Sequence, residues 1–413
     1  MEHELLATAG GSPVRTQAFP VWPNYDEDEI AASVAILKSG KVNYWTGGEG
    51  VAFEKEFAAF VGCDHAVAVA NGTVALELAL HALGIGAGDE VLVTSRTFIA
   101  SASCSVMRGA IPVVADVDTE SQTVTAETLR EKLSPRTKAI IAVHFVGWPC
   151  DMDPIMELAR EFGLKVIEDC AQAHGATYKG RQVGSIGDAA AFSFCQDKIM
   201  TTAGEGGMLT TDSHDVWSRA WAFKDHGKNF DAIFNQPPQP RYHFKWIHGS
   251  FGTNWRLTEL QSAIGRLQLG KLKHWLALRR EHAETLTSCF LGLRGLRVTT
   301  PPEWIGHAYY KYYVFVRPEI LRPDWSRDRI IEAINAEGIP CFSGGCSEIY
   351  LEKAFADRGW QPQERLANAR LLGETSLMFL VHPTLLRNDI ADTCRAVEKV
   401  MCQATIAAAG KNS

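Results

Sequence analysis

One lysine raises the first question about the chemistry of this chain. Residues 193–207 read SFCQDKIMTTAGEGG, in which Lys198 follows the apolar run AAAFSF and precedes a glycine-rich turn. A loop lysine usually faces solvent and takes no part in chemistry. An amine at the end of a buried strand can instead act as a nucleophile and form a Schiff base. The choice between these interpretations depends on what else lies near Lys198.

A second predicted strand ends in a carboxylate. The run LKVIEDCAQAHGA places Asp169 directly after an apolar stretch. A buried carboxylate is unfavourable unless it meets a cation. A protonated pyridine nitrogen would satisfy Asp169, and so would a structural Arg or Lys, so this motif alone decides nothing.

A third strand end offers a candidate anion site. Asn71, Gly72 and Thr73 separate the run AVAVA from a helical pattern. Amides at a helix N-terminus are well placed to bind phosphate, and the Thr73 hydroxyl adds a donor. Simple capping of the helix by Asn71 or Thr73 explains the same residues, and the motif by itself favours that simpler explanation.

The elements that carry these residues alternate along the chain. Between residues 66 and 225, short β-branched runs alternate with helical patterns, which predicts an α/β domain with a mainly parallel sheet flanked by helices. The carboxyl ends of strands in such a sheet deliver functional groups to one edge. A phosphate cradle, a carboxylate and a lone lysine would then converge, which is what pyridoxal 5′-phosphate (PLP) requires.

The second part of the chain has a different pattern. We predict a long loop after residue 225, then a long helical stretch with Gly265 and Gly270 as weak points or kinks. YKYYVFVRP indicates a strand, and SRDRIIEAINAEG and NDIADTCRAVEKVMCQATIAA indicate helices. The prediction is a large PLP-binding α/β domain at residues 1–260, with an N-terminal arm, and a linker helix with a smaller α+β domain at residues 261–413.

Four segments together resemble a known family. ANGTVALELAL, EDCAQAHGA, SFCQDK followed by EGG, and NWRLTELQSAIG are similar, in order and spacing, to the DegT/DnrJ/EryC1/StrS sugar aminotransferases. The similarity covers about residues 10–400, and four ordered motifs are more specific than any one of them. The resemblance implies the fold-type I PLP transferase architecture.

The resemblance also implies a role for individual residues. Lys198 would be the catalytic residue, which forms the Schiff base with PLP and later moves a proton. Asp169 would hold the ring nitrogen, Gln172 the ring hydroxyl, and Phe98 would stack on the ring. The residues implied in phosphate binding are Gly72, Thr73, Ser193 and, from the neighbouring subunit, Asn254.

The implied reaction is a transfer in amino-sugar biosynthesis. Family members are typically homodimers with shared active sites that take an amino group from glutamate or glutamine and pass it to a keto-sugar, often nucleotide-linked. Trp148 and the stretch FSGGCSEIYLEKAF depart from the family pattern. These departures leave the identity of the acceptor open. An inosose, an unactivated keto-sugar acid and a non-catalytic PLP- or sugar-binding sensor stay open. Lys198 argues against the dehydratase branch, which carries histidine at this position.

Composition excludes several other classes. The 413-residue chain has a net charge of −7 and no long basic run, so neither nucleic acid nor an anionic membrane is the expected partner. No secretory signal or apolar run of about 20 residues is apparent, which predicts a cytoplasmic protein. Ten cysteines without a CxxC pair predict reduced thiols. Cys341 and Cys346 lack a matching second pair of ligands, so we predict no metal site.

A dinucleotide-binding dehydrogenase is the alternative enzyme class. GIGAGDE at residues 84–90 offers closely spaced glycines. This run follows a predicted helix and precedes a predicted strand, whereas a pyrophosphate site needs the order strand, glycine turn, helix. The sequence therefore favours the aminotransferase.

Overall fold

The computed structural model describes residues 4–235 and 246–406. The strands are β1 His65–Val69, β2 Glu90–Thr94, β3 Ile111–Ala115, β4 Thr137–Val143, β5 Lys165–Asp169, β6 Thr177–Tyr178, β7 Arg181–Gln182, β8 Ala189–Ser193, β9 Gly207–Thr211, β10 Leu296–Arg297, β11 Ile305–Gly306, β12 Tyr312–Val316, β13 Cys341–Phe342 and β14 Ser376–Phe379. The α-helices are α1 Glu27–Ser39, α2 Glu49–Val61, α3 Gly72–Ala82, α4 Ala100–Met107, α5 Ala126–Arg130, α6 Met152–Phe162, α7 His214–Lys224, α8 Phe230–Phe234, α9 Glu259–Phe290, α10 Arg327–Ala336, α11 Lys353–Ala356, α12 Ala367–Thr375 and α13 Arg387–Ala404.

The main sheet confirms the predicted α/β architecture. Its seven strands run in the order β1-β9-β8-β5-β4-β2-β3, and only β9 is antiparallel to its neighbours. The strands β2 and β8 are buried at every residue, as expected when helices cover a sheet on both faces. Because β1, β2, β5 and β8 run in one direction, their carboxyl ends lie at the same edge of the sheet.

The long helix α9 runs through both predicted weak points. It extends unbroken over 32 residues from a capping box formed by Thr258 and Gln261, so the expectation of kinks at Gly265 and Gly270 was wrong. Gly265 serves close packing instead, because a Cβ atom there would lie 2.6 Å from the ring of Phe53 on α2. Nothing lies within 4 Å of a Cβ atom placed on Gly270.

The two glycines of α9 should respond oppositely to alanine. We expect Gly265→Ala to lower the free energy of unfolding by roughly 1–3 kcal/mol, because the added methyl group overpacks the contact with Phe53. Gly270→Ala, its matched control, should raise it by up to about 1 kcal/mol through helix propensity. Urea denaturation of both variants measures the difference. An equal effect of the two substitutions would contradict the packing role of Gly265.

A second hydrophobic cluster lies around the four-stranded sheet β10-β12-β14-β13. The helix α9 contributes Leu272 and Leu276 to the first cluster and Leu286 and Phe290 to the second. The N-terminal arm belongs to the second cluster through Leu6. Helix α9 thus belongs to both cores, and the division at residue 260 stays a prediction.

The segment after residue 225 has more structure than the predicted loop. Asn229 caps the helix Phe230–Phe234 by accepting a hydrogen bond from the Ala232 amide (2.8 Å). Isolated bridges pair Asp225 with Asn254 and Lys228 with His248. A five-residue helix is too short to show a period in the sequence, which is why it was missed. Residues 236–245 of the predicted loop lie outside the described residues.

Two further observations bear on the sequence predictions. Cys104, Cys150 and Cys170 are free, buried thiols. Among the helices of the described residues, none is long and apolar enough to cross a membrane.

Candidate active site

Gly72 and Ser193 meet where β1 and β8 end. Asn71 caps α3 by accepting a hydrogen bond from the Val74 amide (3.0 Å), as the simpler explanation of this motif predicts. A Cβ atom on Gly72 would lie 2.5 Å from the Ser193 Cβ, so glycine is needed for the start of α3 to approach β8 this closely. Thr73 is exposed beside them. The structure thus brings together three residues predicted to bind phosphate, next to the free amides of a helix N-terminus.

Asp169 is a buried carboxylate at the end of β5. Its residue is 5% exposed. The Ser101 hydroxyl donates to one carboxylate oxygen (2.7 Å) and the Ala171 amide to the other (3.1 Å). Burial raises the pKa of Asp169, and the hydrogen bond from Ser101 opposes that rise. Within the described ranges, no Lys, Arg or His nitrogen lies within 4.0 Å of this carboxylate. Its charge therefore lacks a cationic partner in the described part of the chain.

Lys198 lies in the turn that follows β8. Its amide donates to the Cys195 carbonyl (3.0 Å), and its carbonyl accepts from the Trp22 indole (2.8 Å). The Nζ atom lies 5.0 Å from the centroid of the Tyr310 ring. The Tyr310 hydroxyl in turn donates to the Asp197 carboxylate. Segments far apart in sequence therefore hold this one turn in place.

The charge of Lys198 reaches Asp169. The positive lysine is one of the smaller effects that lower the pKa of Asp169, after burial raises it and the Ser101 hydrogen bond lowers it. The strands also support this placement, because Asp169 at the end of β5 pairs with Ala191 on β8, the strand that leads to Lys198. The sequence prediction that both belong to one edge of the sheet is therefore consistent with the structure.

Gln172 and Phe98, two further residues predicted to contact the cofactor, lie close to Asp169 or to its partner Ser101 along the chain. The side-chain amide oxygen of Gln172 (Oε1) accepts from the Val146 amide (2.8 Å). Phe98 is 68% exposed, and its backbone carbonyl accepts from the amide of Ser101, the residue that bonds to Asp169. An exposed aromatic ring just before the start of α4 is available to a planar ligand.

Asn254 lies in a segment that is fixed beside the end of β1. The residue is exposed and forms a bridge with Asp225. The next carbonyl, that of Trp255, accepts from the Ala70 amide (2.8 Å). Arg256 then forms an ion pair with the buried Asp225 (2.5 Å). The segment is thus positioned by its own chain, close to the start of α3.

A buried network lies next to Asp169. The His144 amide donates to the Asp169 carbonyl (3.1 Å), and the His144 Nε2 contacts the Glu168 carboxylate (3.0 Å). Because the Cys150 amide donates to Nδ1 (3.0 Å), the ring proton is on Nε2. Glu168 also accepts from the amides of Gly184, Ile186 and Gly187. His144, Glu168 and Cys170 lie close enough together for a metal, but both His144 nitrogens are already engaged.

Several residues at the site were not found from sequence. Ser101 bonds to Asp169, Trp22 holds the Lys198 carbonyl and Tyr310 lies beside the Lys198 amine. The position of Ser101, three residues after Phe98 at a predicted helix start, was a usable signal. Trp22 and Tyr310 come from distant parts of the chain, and no local pattern points to them.

The residues at this edge fit PLP. A buried carboxylate without a cationic partner matches a protonated ring nitrogen. The close approach of Gly72 to Ser193, beside free helix amides, matches a phosphate group. Lys198 supplies the amine at the same edge. The glycine run at residues 84–90 lies between α3 and β2, which is the wrong order for a dinucleotide site.

Comparisons with known proteins agree with this assignment. The sequence model of the DegT/DnrJ/EryC1/StrS aminotransferase family matches residues 23–398. The crystal structure of an aminotransferase from Psychrobacter cryohalolentis is 51% identical, with a TM-score of 0.91, and the match covers 94% of this chain and 99% of that one. The fold is therefore that of the fold-type I PLP aminotransferases.

Two curated relatives differ in what their names say they make or use. GDP-perosamine synthase from Caulobacter vibrioides is 43% identical over 291 residues, which cover 70% of this chain and 74% of the relative. L-glutamine:2-deoxy-scyllo-inosose aminotransferase from Streptoalloteichus tenebrarius is 36% identical over 313 residues, which cover 74% and 73%.

Proposed function

The chain belongs to the DegT/DnrJ/EryC1/StrS aminotransferase family and is a sugar aminotransferase, and we propose that it uses PLP to move an amino group from glutamate or glutamine to a nucleotide-linked keto-sugar. The observation that supports the cofactor is Asp169, a buried carboxylate without a cationic partner in the described residues, at the end of the strand that pairs with β8, which leads to Lys198. The proposed location is the cytoplasm.

Each predicted residue has a defined task in this proposal. PLP, when bound, supplies an electron sink and carries the amino group between the two substrates. Asp169 keeps a proton on the ring nitrogen, and Gln172 donates to the ring hydroxyl. Lys198 binds the cofactor covalently and afterwards moves a proton to or from the substrate carbon. Phe98 packs on the ring, and the phosphate-binding residues are Gly72, Thr73, Ser193 and Asn254.

The proposed identity of the acceptor rests on similarity to two relatives. The relative with the GDP-linked product has the higher identity, 43% against 36% for the inosose enzyme, which favours a nucleotide-linked sugar. The name of the inosose enzyme includes glutamine, which supports glutamine as one of the two donors. An inosose or an unactivated keto-sugar acid is the second candidate acceptor.

The half-reaction tests the proposed function. We expect purified protein with PLP and glutamate, or glutamine, to change the absorbance of the cofactor and release one keto acid per site. Subsequent addition of GDP-, UDP- and dTDP-linked keto-sugars and of an inosose should restore the original absorbance with one of them, and mass spectrometry should identify an aminated product. A non-catalytic sensor would bind PLP and release no keto acid.

Subunit mixing tests whether the active sites are shared. Lys198→Ala and Asn254→Ala should each be weak or inactive at limiting PLP. If Asn254 serves the partner's site in a closed dimer, a mixed dimer has one site with both changes and one with neither. Activity should therefore reappear on mixing, up to one good site per mixed dimer.

The structure also suggests the competing arrangement. The segment of Asn254 pairs with the end of β1 in its own chain, so Asn254 could serve its own phosphate site. In that case every site of the mixed dimer would keep one change and mixing would restore nothing. Mixing Lys198→Ala with Asp169→Asn is the matched control, because both residues belong to one chain's site. Native mass spectrometry of tagged chains confirms that subunits have exchanged.

A further inference from the structure

A second lysine approaches the same tyrosine ring as Lys198. The Nζ atom of Lys311 is 4.9 Å from the centroid of the Tyr310 ring, the same ring that the Lys198 amine approaches to 5.0 Å. Lys311 is half-buried. Within the described ranges, its amine has no ion pair and no hydrogen bond. Among the residues that the structure describes, this cation therefore has no anionic partner in direct contact.

Arg279 adds a buried positive charge to the same place. It is 1% exposed, and its Nη1 atom donates to the carbonyls of Tyr309 (3.3 Å) and Tyr310 (3.2 Å). Its Nε and Nη2 atoms are buried and have no hydrogen-bond partner among the described residues. The guanidinium lies 5.4 Å from the ring of Trp22, the residue that holds the Lys198 carbonyl. Burial lowers the pKa of Arg279 to about 9, which leaves it charged at neutral pH.

The charges that face Lys311 do not balance. Burial lowers the pKa of Lys311 to about 8, Asp197 opposes this, and Arg279 and Lys198 act in the same direction as burial. His382 also lies near, but burial lowers its pKa to about 3, so it is neutral at pH 7. In the chain without cofactor, one carboxylate, already bound by the Tyr310 hydroxyl, therefore faces Lys311 together with two further cations, and Arg279 keeps its charge when Lys198 is bound to PLP. An anion that enters this place would be stabilised.

We infer that Lys311 binds a carboxylate of the amino donor. The inference rests on the proposed function, because glutamate and glutamine would bring a carboxylate to the neighbourhood of Lys198. The α-carboxylate and the reacting amine of the donor share one carbon atom, so a cation near Lys198 is close to where that carboxylate must lie. Arg279, which is buried, adds to the positive potential without direct contact. Lys311 is thus a determinant of donor binding.

Substitution of Lys311 tests its contact with the donor. We expect Lys311→Met to weaken the apparent affinity for glutamate in the half-reaction by about ten- to a hundredfold, the range for a hydrogen bond between charged groups. Lys311→Arg should stay within about threefold of wild type. Lys179→Met is the matched control, because the Lys179 amine also lies over a tyrosine ring, 5.1 Å from that of Tyr178, but pairs with Asp153. A loss with glutamate and glutamine assigns the α-carboxylate, and a loss with glutamate alone assigns the γ-carboxylate.

A binding measurement separates this inference from the reaction. Glutarate has the two carboxylates of glutamate and no amine, so it cannot react. Calorimetry with the holoenzyme should show glutarate binding to wild type that weakens at alkaline pH, where Lys311 loses its proton, and that is lost in Lys311→Met. Lys311→Arg should keep binding at higher pH, since a guanidinium stays charged.

The possible failures are distinguishable. A wild-type protein that reacts with neither glutamate nor glutamine overturns the proposed donor. A wild-type protein that does react, with Lys311→Met equal to it in donor affinity and glutarate binding, overturns the role of Lys311 and leaves the proposed function intact. Wild-type protein that binds no glutarate also counts against the carboxylate site.

Discussion

Lys198→Ala should abolish transamination and leave the protein folded. The substitution removes both the nucleophile that holds the cofactor and the group that moves the proton, and proton transfer alone contributes about 10²–10⁴-fold. We therefore expect kcat to fall by at least about 10³-fold. PLP should still bind, without a covalent bond, because the phosphate-binding residues and Asp169 are unchanged. Steady-state kinetics and the absorbance of bound PLP measure the two effects.

Borohydride reduction identifies the lysine directly. Reduction of the wild-type holoenzyme should fix the cofactor to Lys198, and peptide mapping should find no label on Lys311, although that amine approaches the same tyrosine ring. Lys198→Arg is the control for charge, since it keeps a cation but does not deprotonate to act as a nucleophile. A reduced adduct on Lys311 would show that the site has been assigned to the wrong amine.

The main sheet and its functional edge were accessible from the sequence because they follow local rules. Apolar strands such as β2 and β8 indicate a sheet with helices on both faces. The strand ends of such a sheet carry the functional residues. The positions of Asp169 and Lys198 followed from these two rules. Their individual roles came from the resemblance to the family, and they remain predictions until tested.

Other parts of the site depend on contacts that sequence patterns do not encode. Trp22 reaches Lys198 from the N-terminal arm, and Arg279 comes from the middle of α9. The surroundings of Lys311 illustrate the point, because its lowered pKa arises from burial and from cations on other elements. Only packing in three dimensions shows that these charges meet.

The glycines of α9 show a different limit. A glycine in a helix predicts weakness when only helix propensity is considered. Gly265 instead lets the ring of Phe53 approach α9, and this contact belongs to tertiary packing. The propensity argument predicted weak points or kinks, whereas α9 is unbroken at both glycines.

Asp169→Asn should separate a catalytic carboxylate from a structural one. A neutral amide cannot hold a proton on the ring nitrogen, so the electron sink is weakened. We expect kcat to fall by roughly two orders of magnitude or more, which corresponds to about 3 kcal/mol of transition-state stabilisation. Ser101→Ala is the matched control, because it removes the hydroxyl that donates to Asp169 (2.7 Å) and keeps the carboxylate. Its loss should be less than about tenfold.

Stability without cofactor gives the second measurement on Asp169. Burial raises the pKa of this carboxyl, so its charged form opposes folding of the apoprotein at pH values above the folded pKa. Asp169→Asn removes that charge, and the Tm of the apoprotein at pH 7 should stay equal to wild type or rise. PLP should then raise the Tm of the variant less than that of wild type, since the pyridinium has lost its partner. If the variant instead loses apoprotein stability and keeps wild-type turnover with saturating PLP, Asp169 is a structural carboxylate and does not contact the ring nitrogen.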